Sequence, residues 1–269
     1  MINLLLLRCC RAAKLLMPVT FWTLWGLCGP FPDVRADGHL ETDFALPAGA
    51  IRLFNGHDAS GWVARGGGPV PWRVENNYLE VVPGSGDIVT RQAFGDCWLH
   101  AEFWIPLMAD QAGQARGNSG IFLQGRYEVQ ILDSFDNETY PTGACAALYG
   151  TIAPRSNVSK PPGQWQTYDI TFHCPRVDGK GRVIEQGHIS VFHNEVLVIA
   201  DGRFDQPTGS ARGQKPVALA PIRLQDHGAA VRFRNLWLVP LSKRLPGSLD
   251  PSGRKQVLRT PGRTGPIER

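Results

Sequence analysis

From residue 51 to residue 241 the chain reads strand, turn, strand, and nowhere in that span does it carry the three-to-four-residue apolar repeat of a surface helix. That feature removes most folds at once. A parallel α/β architecture needs long crossover segments, usually helical, between its strands, and the sequence does not provide them. Strands are expected over 78–82, ended by Pro83-Gly84, and over 98–105, stopped at Pro106. Two more are expected over 120–124 and 127–132, broken at Gly125-Arg126. Asp178-Gly179-Lys180-Gly181 is a hairpin signal, with 169–173 before it and 183–184 after it. The segment 188–192 is expected to pair with 196–200 across His193-Asn194-Glu195, and 222–225 and 231–238 close the span. The 30 glycines and 21 prolines supply the turns. Many short, evenly spaced, alternating strands without an internal repeat predict one all-β domain, 51–241, built as a sandwich or jelly roll.

The two ends read differently. Arg8, Arg11 and Lys14 precede a mostly apolar run, and Val34-Arg35-Ala36 offers small residues where a signal peptidase reads them. Residues 1–36 are therefore expected to be an export signal cut after Ala36, with 37–50 a linker and the mature protein secreted or periplasmic. The apolar run is short and interrupted by Pro18, so no integral membrane protein is expected. Cys28 could mark lipid attachment, but Trp25 and Leu27 before it are too bulky for a good acylation site. The net charge of +4 is concentrated at the other end. Residues 242–269 carry Lys243, Arg244, Arg254, Lys255, Arg259, Arg263 and Arg269 against Asp250 and Glu268. This is the pattern of a solvated, disordered tail rather than of a folded nucleic-acid-binding face.

Of six cysteines, three lie in the signal, leaving Cys97, Cys145 and Cys174. An odd number allows at most one disulfide, and three small buried residues are the simpler expectation. No CxxC pair or Cys/His spacing suggests structural zinc.

Alternation sorts side chains by face. In Tyr127-Glu128-Val129-Gln130-Ile131-Leu132-Asp133 the apolar Val129 and Ile131 belong to the core, so Glu128 and Gln130 point away from it. In 222–227, Ile222 and Leu224 face inward while Arg223, Gln225 and His227 face outward. Arg232 and Arg234 oppose Val231 and Phe233 in the same way. A polar non-core face of acid, amide, histidine and arginine suits a hydroxyl-rich ligand, and indoles such as Trp62, Trp72 or Trp165 could cover a pyranose face. Glu128 and Asp133 are an odd number of residues apart, so a regular strand sends them to opposite faces, and only a bulge would make them converge. His227, at a strand end beside Asp226 and Gly228, is a candidate for proton transfer near neutrality.

These segments also carry a resemblance. Leu53-Phe54-Asn55-Gly56 with Ser60-Gly61-Trp62 opens it, and Asn118-Ser119-Gly120-Ile121-Phe122 and 127–134 continue it. Gly143 through Tyr149-Gly150, the block Lys160 to Tyr168, and Leu224-Gln225-Asp226-His227-Gly228 with 231–236 complete it. In this order the blocks resemble the 3-keto-disaccharide hydrolase family over nearly all of 51–241. Gln166, where Asn is common, and His57 and Ala59 in the opening are departures. The resemblance implies a concanavalin A-like jelly-roll sandwich acting on sugars oxidised at carbon 3. A ketone there acidifies the carbon-2 proton, so one base, one enolate stabiliser and one acid suffice for elimination, with water adding back. Such chemistry calls for no organic cofactor, and the sequence shows no ligand set specific enough to claim a metal. His227 and Glu128 are expected to share the roles of base and acid, either of them being the base, with Asp133 a further catalytic candidate. Asn118, Gln130 and Arg234 are expected to hold keto and hydroxyl oxygens, with Gln225, Trp72 and Lys160 as further contacts to an oxidised saccharide. Two rivals stand beside this reading: a non-catalytic carbohydrate-binding module, and an ordinary glycosidase that would need Glu128 and Asp133 together.

Overall fold

A computed structural model describes residues 46–241. The expected export signal, the first part of the linker and the basic tail lie outside the described residues. The strands are β1 (Ile51–Arg52), β2 (Trp62–Ala64), β3 (Arg73–Glu75), β4 (Tyr78–Glu80), β5 (Ile88–Phe94), β6 (Cys97–Trp104), β7 (Asn118–Leu123) and β8 (Tyr127–Leu132). They continue as β9 (Trp165–His173), β10 (Arg176–Val177), β11 (Val183–Glu185), β12 (Gly187–His193), β13 (Val196–Phe204), β14 (Ala220–Leu224) and β15 (Arg232–Pro240). No α-helix occurs among the described residues, and no helix there is long and apolar enough to cross a membrane.

Two antiparallel sheets hold the fold. The larger runs β13-β12-β9-β6-β15-β4-β3, with β1 on β15, and the smaller runs β2-β5-β14-β7-β8. Their inner faces share one core, in which Phe103, Tyr168, Phe172 and Phe233 of the larger sheet meet Ile88, Ile121, Val129 and Ile222 of the smaller. Tyr127 packs on Phe172 across the gap at 5.4 Å between ring centroids, and Tyr168 donates to the Gln130 carbonyl at 2.6 Å. This is the concanavalin A-like jelly-roll sandwich that the sequence pattern and the resemblance imply. β6 and β9 alternate strictly between buried and half-buried residues, as strands covered on one face should. The three cysteines are free thiols, all buried.

Several local readings change. The hairpin at 178–181 exists, but its arms are β10 and β11, a small separate ribbon. Pro175 has no N–H to give and ends the long strand before it, so β9 pairs with β6 and β12 instead. β12 and β13 turn through Asn194 and Glu195, both at positive φ, as a two-residue hairpin requires. β5, between β2 and β14 in the smaller sheet, has Arg91 and Gln92 breaking its apolar run and gives little sequence signal. Trp72 is no sugar platform. It is 5% exposed, stacks on Phe233 at 5.9 Å and donates its indole N–H to the Gly86 carbonyl.

The outer face of the larger sheet is closed by its own charges. Arg232 sits 4.6 Å from the Tyr78 ring and 4.3 Å from the Trp104 ring, and pairs with Glu80 at 2.6 Å. Arg234 pairs with Glu102 at 2.6 Å and lies 4.0 Å over Trp165. Each guanidinium thus covers an aromatic face and spends its charge on a neighbouring carboxylate.

Trp72→Ala is expected to cost roughly 3–5 kcal/mol of stability, the loss typical of a truncated core indole. Chemical denaturation measures it. A variant of native stability with weakened sugar binding would return Trp72 to the ligand site.

Candidate functional site

β8 ends the smaller sheet, so one of its edges has no neighbouring strand. A loop takes that place. Gln130 N donates to the Ala147 carbonyl, Ala146 N to the Gln130 carbonyl and Tyr149 N to the Glu128 carbonyl, at 2.9–3.0 Å. Glu128 N donates to Thr208 Oγ1 at 2.9 Å. The segments 144–149 and 208–211 therefore cover β8, and all six of its residues are buried. The sequence assigns Glu128 and Gln130 to the correct face but expects that face to be open. Covered by these loops, they are 4% and 1% exposed.

The register builds rows across the smaller sheet. Arg223 lies opposite Phe122, which lies opposite Glu128. In the next row, Gln225 N donates to the Gly120 carbonyl at 3.1 Å, and Gly120 lies opposite Gln130. Gly120 leaves a hollow into which the Glu128 side chain leans: a methyl group there would sit 2.8 Å from Glu128 Oε1. Gly209 closes from the other side, where a methyl group would come within 1.9 Å of Glu128 Oε2. One carboxylate is thus held between two glycines, and neither position has room for a side chain.

Burial pushes the Glu128 carboxyl up to about 7, with the Arg223 charge opposing and the Asp87 charge assisting the rise. Arg223 is itself buried, 3.4 Å over the Phe122 ring, with one Nη on Asp87 at 2.9 Å and the other on Ser210 Oγ at 2.9 Å. Its Nε has no partner among the described residues. The Gln130 amide N–H group donates to Gln114 Oε1 at 3.1 Å in one orientation, and in the turned orientation it donates to Glu128 Oε1 at 3.3 Å and to the Ser119 carbonyl at 3.1 Å. Asn118, on the same face, donates to the Gln114 carbonyl at 2.9 Å, and Gln114 Nε2 donates to Thr139 and to the Gly143 carbonyl. Gln225 Oε1 is buried without a partner among the described residues. Asp226 closes this end of the site, accepting from Gly86 N and donating its own N–H to Asp87. His227 follows it on an exposed bend.

The structure therefore brings together Glu128, Gln130, Asn118 and Gln225, with His227 beyond the end of β14, the strand that carries Arg223. It does not bring in the others. β8 pairs with β7 through six consecutive residues without a bulge, so Asp133 falls on the opposite face from Glu128, about 16 Å along the chain. Asp133 is held by Arg116 at 3.4 Å and its carboxyl is raised by burial, a structural pair rather than the second carboxylate of a glycosidase. Arg234 belongs to the outer face of the other sheet, where Glu102 and Trp165 occupy it. Lys160 donates to the Trp165 carbonyl at the start of β9. The sequence reading passes over Arg223 and Asp87 as site residues. Alternation does put Arg223 on the right face, but Asp87 sits in a turn where alternation says nothing. Among the described residues, no group of three or more His, Cys, Asp or Glu side chains is placed to hold a metal ion.

A jelly-roll sandwich with a buried acid, amides and a cation on one outer sheet face has the build of a glycosyl hydrolase-like protein. A solved structure of a candidate glycosyl hydrolase from Parabacteroides distasonis is 36% identical over 72% of this chain and 85% of its own, with a TM-score of 0.69. Another from the same organism, 20% identical over 72% of this chain and 94% of its own at a TM-score of 0.56, shares the fold. The model of the 3-keto-alpha-glucoside-1,2-lyase-like domain matches residues 49–239, and the chain belongs to that family. No curated protein matches it.

A carboxyl raised in the folded state costs stability wherever it must ionise. The cost is absent below the unfolded carboxyl range, grows as pH rises from there and is complete above about 7. Glu128→Gln is accordingly expected to raise stability at pH 8 by on the order of 2–3 kcal/mol and to change it little near pH 4. Thermal melts at the two pH values test this, and a variant that loses stability at pH 8 would contradict it. Gly209→Ala should displace either the 208–211 turn or the carboxylate, costing roughly 1–3 kcal/mol by denaturation.

Proposed function

We propose that this protein cleaves the glycosidic bond of 3-keto glycosides by eliminating across carbons 1 and 2. The observation that carries the reading is the buried Glu128 carboxyl, raised to about 7, in one cross-strand row with the buried Arg223 guanidinium. A base with that proton affinity is partly ionised at neutral pH and strong enough to take a proton made acidic by the neighbouring ketone. Glu128 removes the carbon-2 proton, and the electron pair moves onto the ketone oxygen as an enolate. The electrons return to form the bond between carbons 1 and 2, the bond from carbon 1 to the leaving oxygen breaks, and that oxygen is protonated. Water added across the double bond then gives net hydrolysis.

Arg223, in the same row as Glu128, supplies fixed positive charge where negative charge develops. Asn118, Gln130 and Gln225 supply the amides that orient ring hydroxyls. His227, exposed beyond β14, is assigned the proton for the leaving oxygen. Its exposed position suits a group that must re-equilibrate with solvent every turnover. The family membership supports the substrate class, and the failure of Glu128 and Asp133 to converge counts against a two-carboxylate mechanism on unoxidised sugars.

Product release from a 3-keto glucoside, with the unoxidised glucoside as control, tests the proposal. kcat/KM should rise with pH to a plateau above about 7, as the base ionises. Glu128→Gln should lose about 10²–10⁴-fold whatever the leaving group, whereas His227→Ala should lose activity on a sugar leaving group and recover much of it on p-nitrophenol, which needs no proton. Binding without cleavage of any keto substrate would instead favour a carbohydrate-binding module.

A further inference from the structure

One aromatic ledge next to Glu128 has no part in the chemistry above. Tyr149 is tied to Glu128 through the backbone, its N–H donating to the Glu128 carbonyl at 2.9 Å. Their side chains are also neighbours: a single point, where a Gly209 methyl group would sit, lies 1.9 Å from Glu128 Oε2 and 3.5 Å from Tyr149 Cδ1. Tyr149 meets Tyr140 edge-on, with ring centroids 6.2 Å apart, and the two hydroxyls are hydrogen-bonded to each other. That bond and burial push the Tyr149 hydroxyl up to about 12, and because the bond between the two phenols uses only one of their two hydroxyl hydrogens, the other is left to donate outward.

Tyr140 is 46% exposed, yet it is firmly placed. Its ring lies against the backbone of Gly143, where a methyl group would come within 2.3 Å of Cε2. The Gly143 carbonyl is fixed by Gln114, and Gly150 N donates to the Thr142 carbonyl to close the loop. The segment leading to Tyr140 is pinned by Asn137, which donates to the Asp133 and Gly113 carbonyls at 2.6 and 3.0 Å. A rigid, half-exposed phenol with a spare donor is costly to solvate and cheap to cover. The contrast with the larger sheet is direct: there the half-buried Trp104 and Trp165 rings are each covered by a guanidinium.

We infer that Tyr140 and Tyr149 form the leaving-group subsite, a wall that takes a ring with one apolar face and an acceptor oxygen. A second sugar or an aryl group offers that chemistry, and a methyl aglycone does not. The inference rests on the elimination reading for its direction, since the group beyond the scissile oxygen must lie beside the residue that works on carbons 1 and 2. It follows that the enzyme selects for the aglycone through Tyr140 and for the oxidised ring through the residues on the sheet.

The test has a binding arm that needs no turnover. Titration calorimetry with unoxidised p-nitrophenyl glucoside and methyl glucoside should show the aryl compound bound more tightly by native protein. Tyr140→Ala should abolish most of that preference, an affinity loss of about fivefold to tenfold for the aryl compound and none for the methyl one, as expected for one lost aromatic contact. No preference in the native protein, or equal losses for both ligands, would overturn the subsite. In the second arm the 3-keto forms of both glucosides and of a disaccharide are assayed. Tyr140→Ala should raise KM for the aryl and disaccharide substrates with kcat nearly unchanged. If the native protein cleaves none of them, the elimination reading fails while the binding arm still decides the subsite. Tyr140→Ala also loses the ring's contact with Gly143 and the bond to Tyr149, so a melt checks that the variant is folded at the assay temperature.

Discussion

The loop 144–149 supplies the hydrogen bonds that the outer edge of β8 would otherwise lack, and the rest of the site depends on that. An open edge would leave backbone donors and acceptors to solvent or to another chain. Closed by Ala146, Ala147 and Tyr149, it becomes part of the interior, and its six residues are buried. The same loop brings Tyr149 alongside Glu128, whose carboxylate Gly209 closes from the other side. Edge protection and site construction are therefore one event here, and a sequence change that loosened the loop would weaken both.

The polar cluster on this face is electrostatically expensive. Glu128 and Arg223 are both buried, Arg223 lies between Asp87 and Ser210, and its Nε is left unsatisfied among the described residues. A fold selected only for stability would place apolar residues on this face, as it does on the other face of the same strands. Keeping a buried acid and guanidinium with their neighbouring amides on this face instead costs stability that the large shared core between the sheets can offset.

Most of the sheet structure was legible because burial follows alternation. β6, β8 and β9 announce themselves through residues two apart, and the face to which Glu128 and Gln130 point follows from Val129 and Ile131. Alternation is a property of one strand, however, and does not say which sheet the strand joins. Arg234 and Gln130 both point away from the core, yet they occupy the outer faces of different sheets because β15 pairs with β6 whereas β8 pairs with β7. Nor does alternation say what lies above a face. Gly209 and Tyr149 cover Glu128 from loops far along the chain or outside any strand, and only the folded backbone reveals that two glycines leave space for one carboxylate. Trp72 illustrates the reverse, since an indole beside turn residues looks available until the core closes on it.

The free thiols carry a consequence of their own. Burial raises Cys97 to about 12 and Cys174 to about 11 and raises Cys145 as well, so the reactive thiolate is scarce at all three once the chain has folded. That protection is purely conformational, because among the described residues no disulfide holds the sandwich shut. It is also absent from the nascent chain, and sandwiches stitched from distant strands are slow to assemble. The reactivity of these thiols is therefore a matter of timing: they are open to reagents for as long as the sandwich takes to close, and shielded once it has.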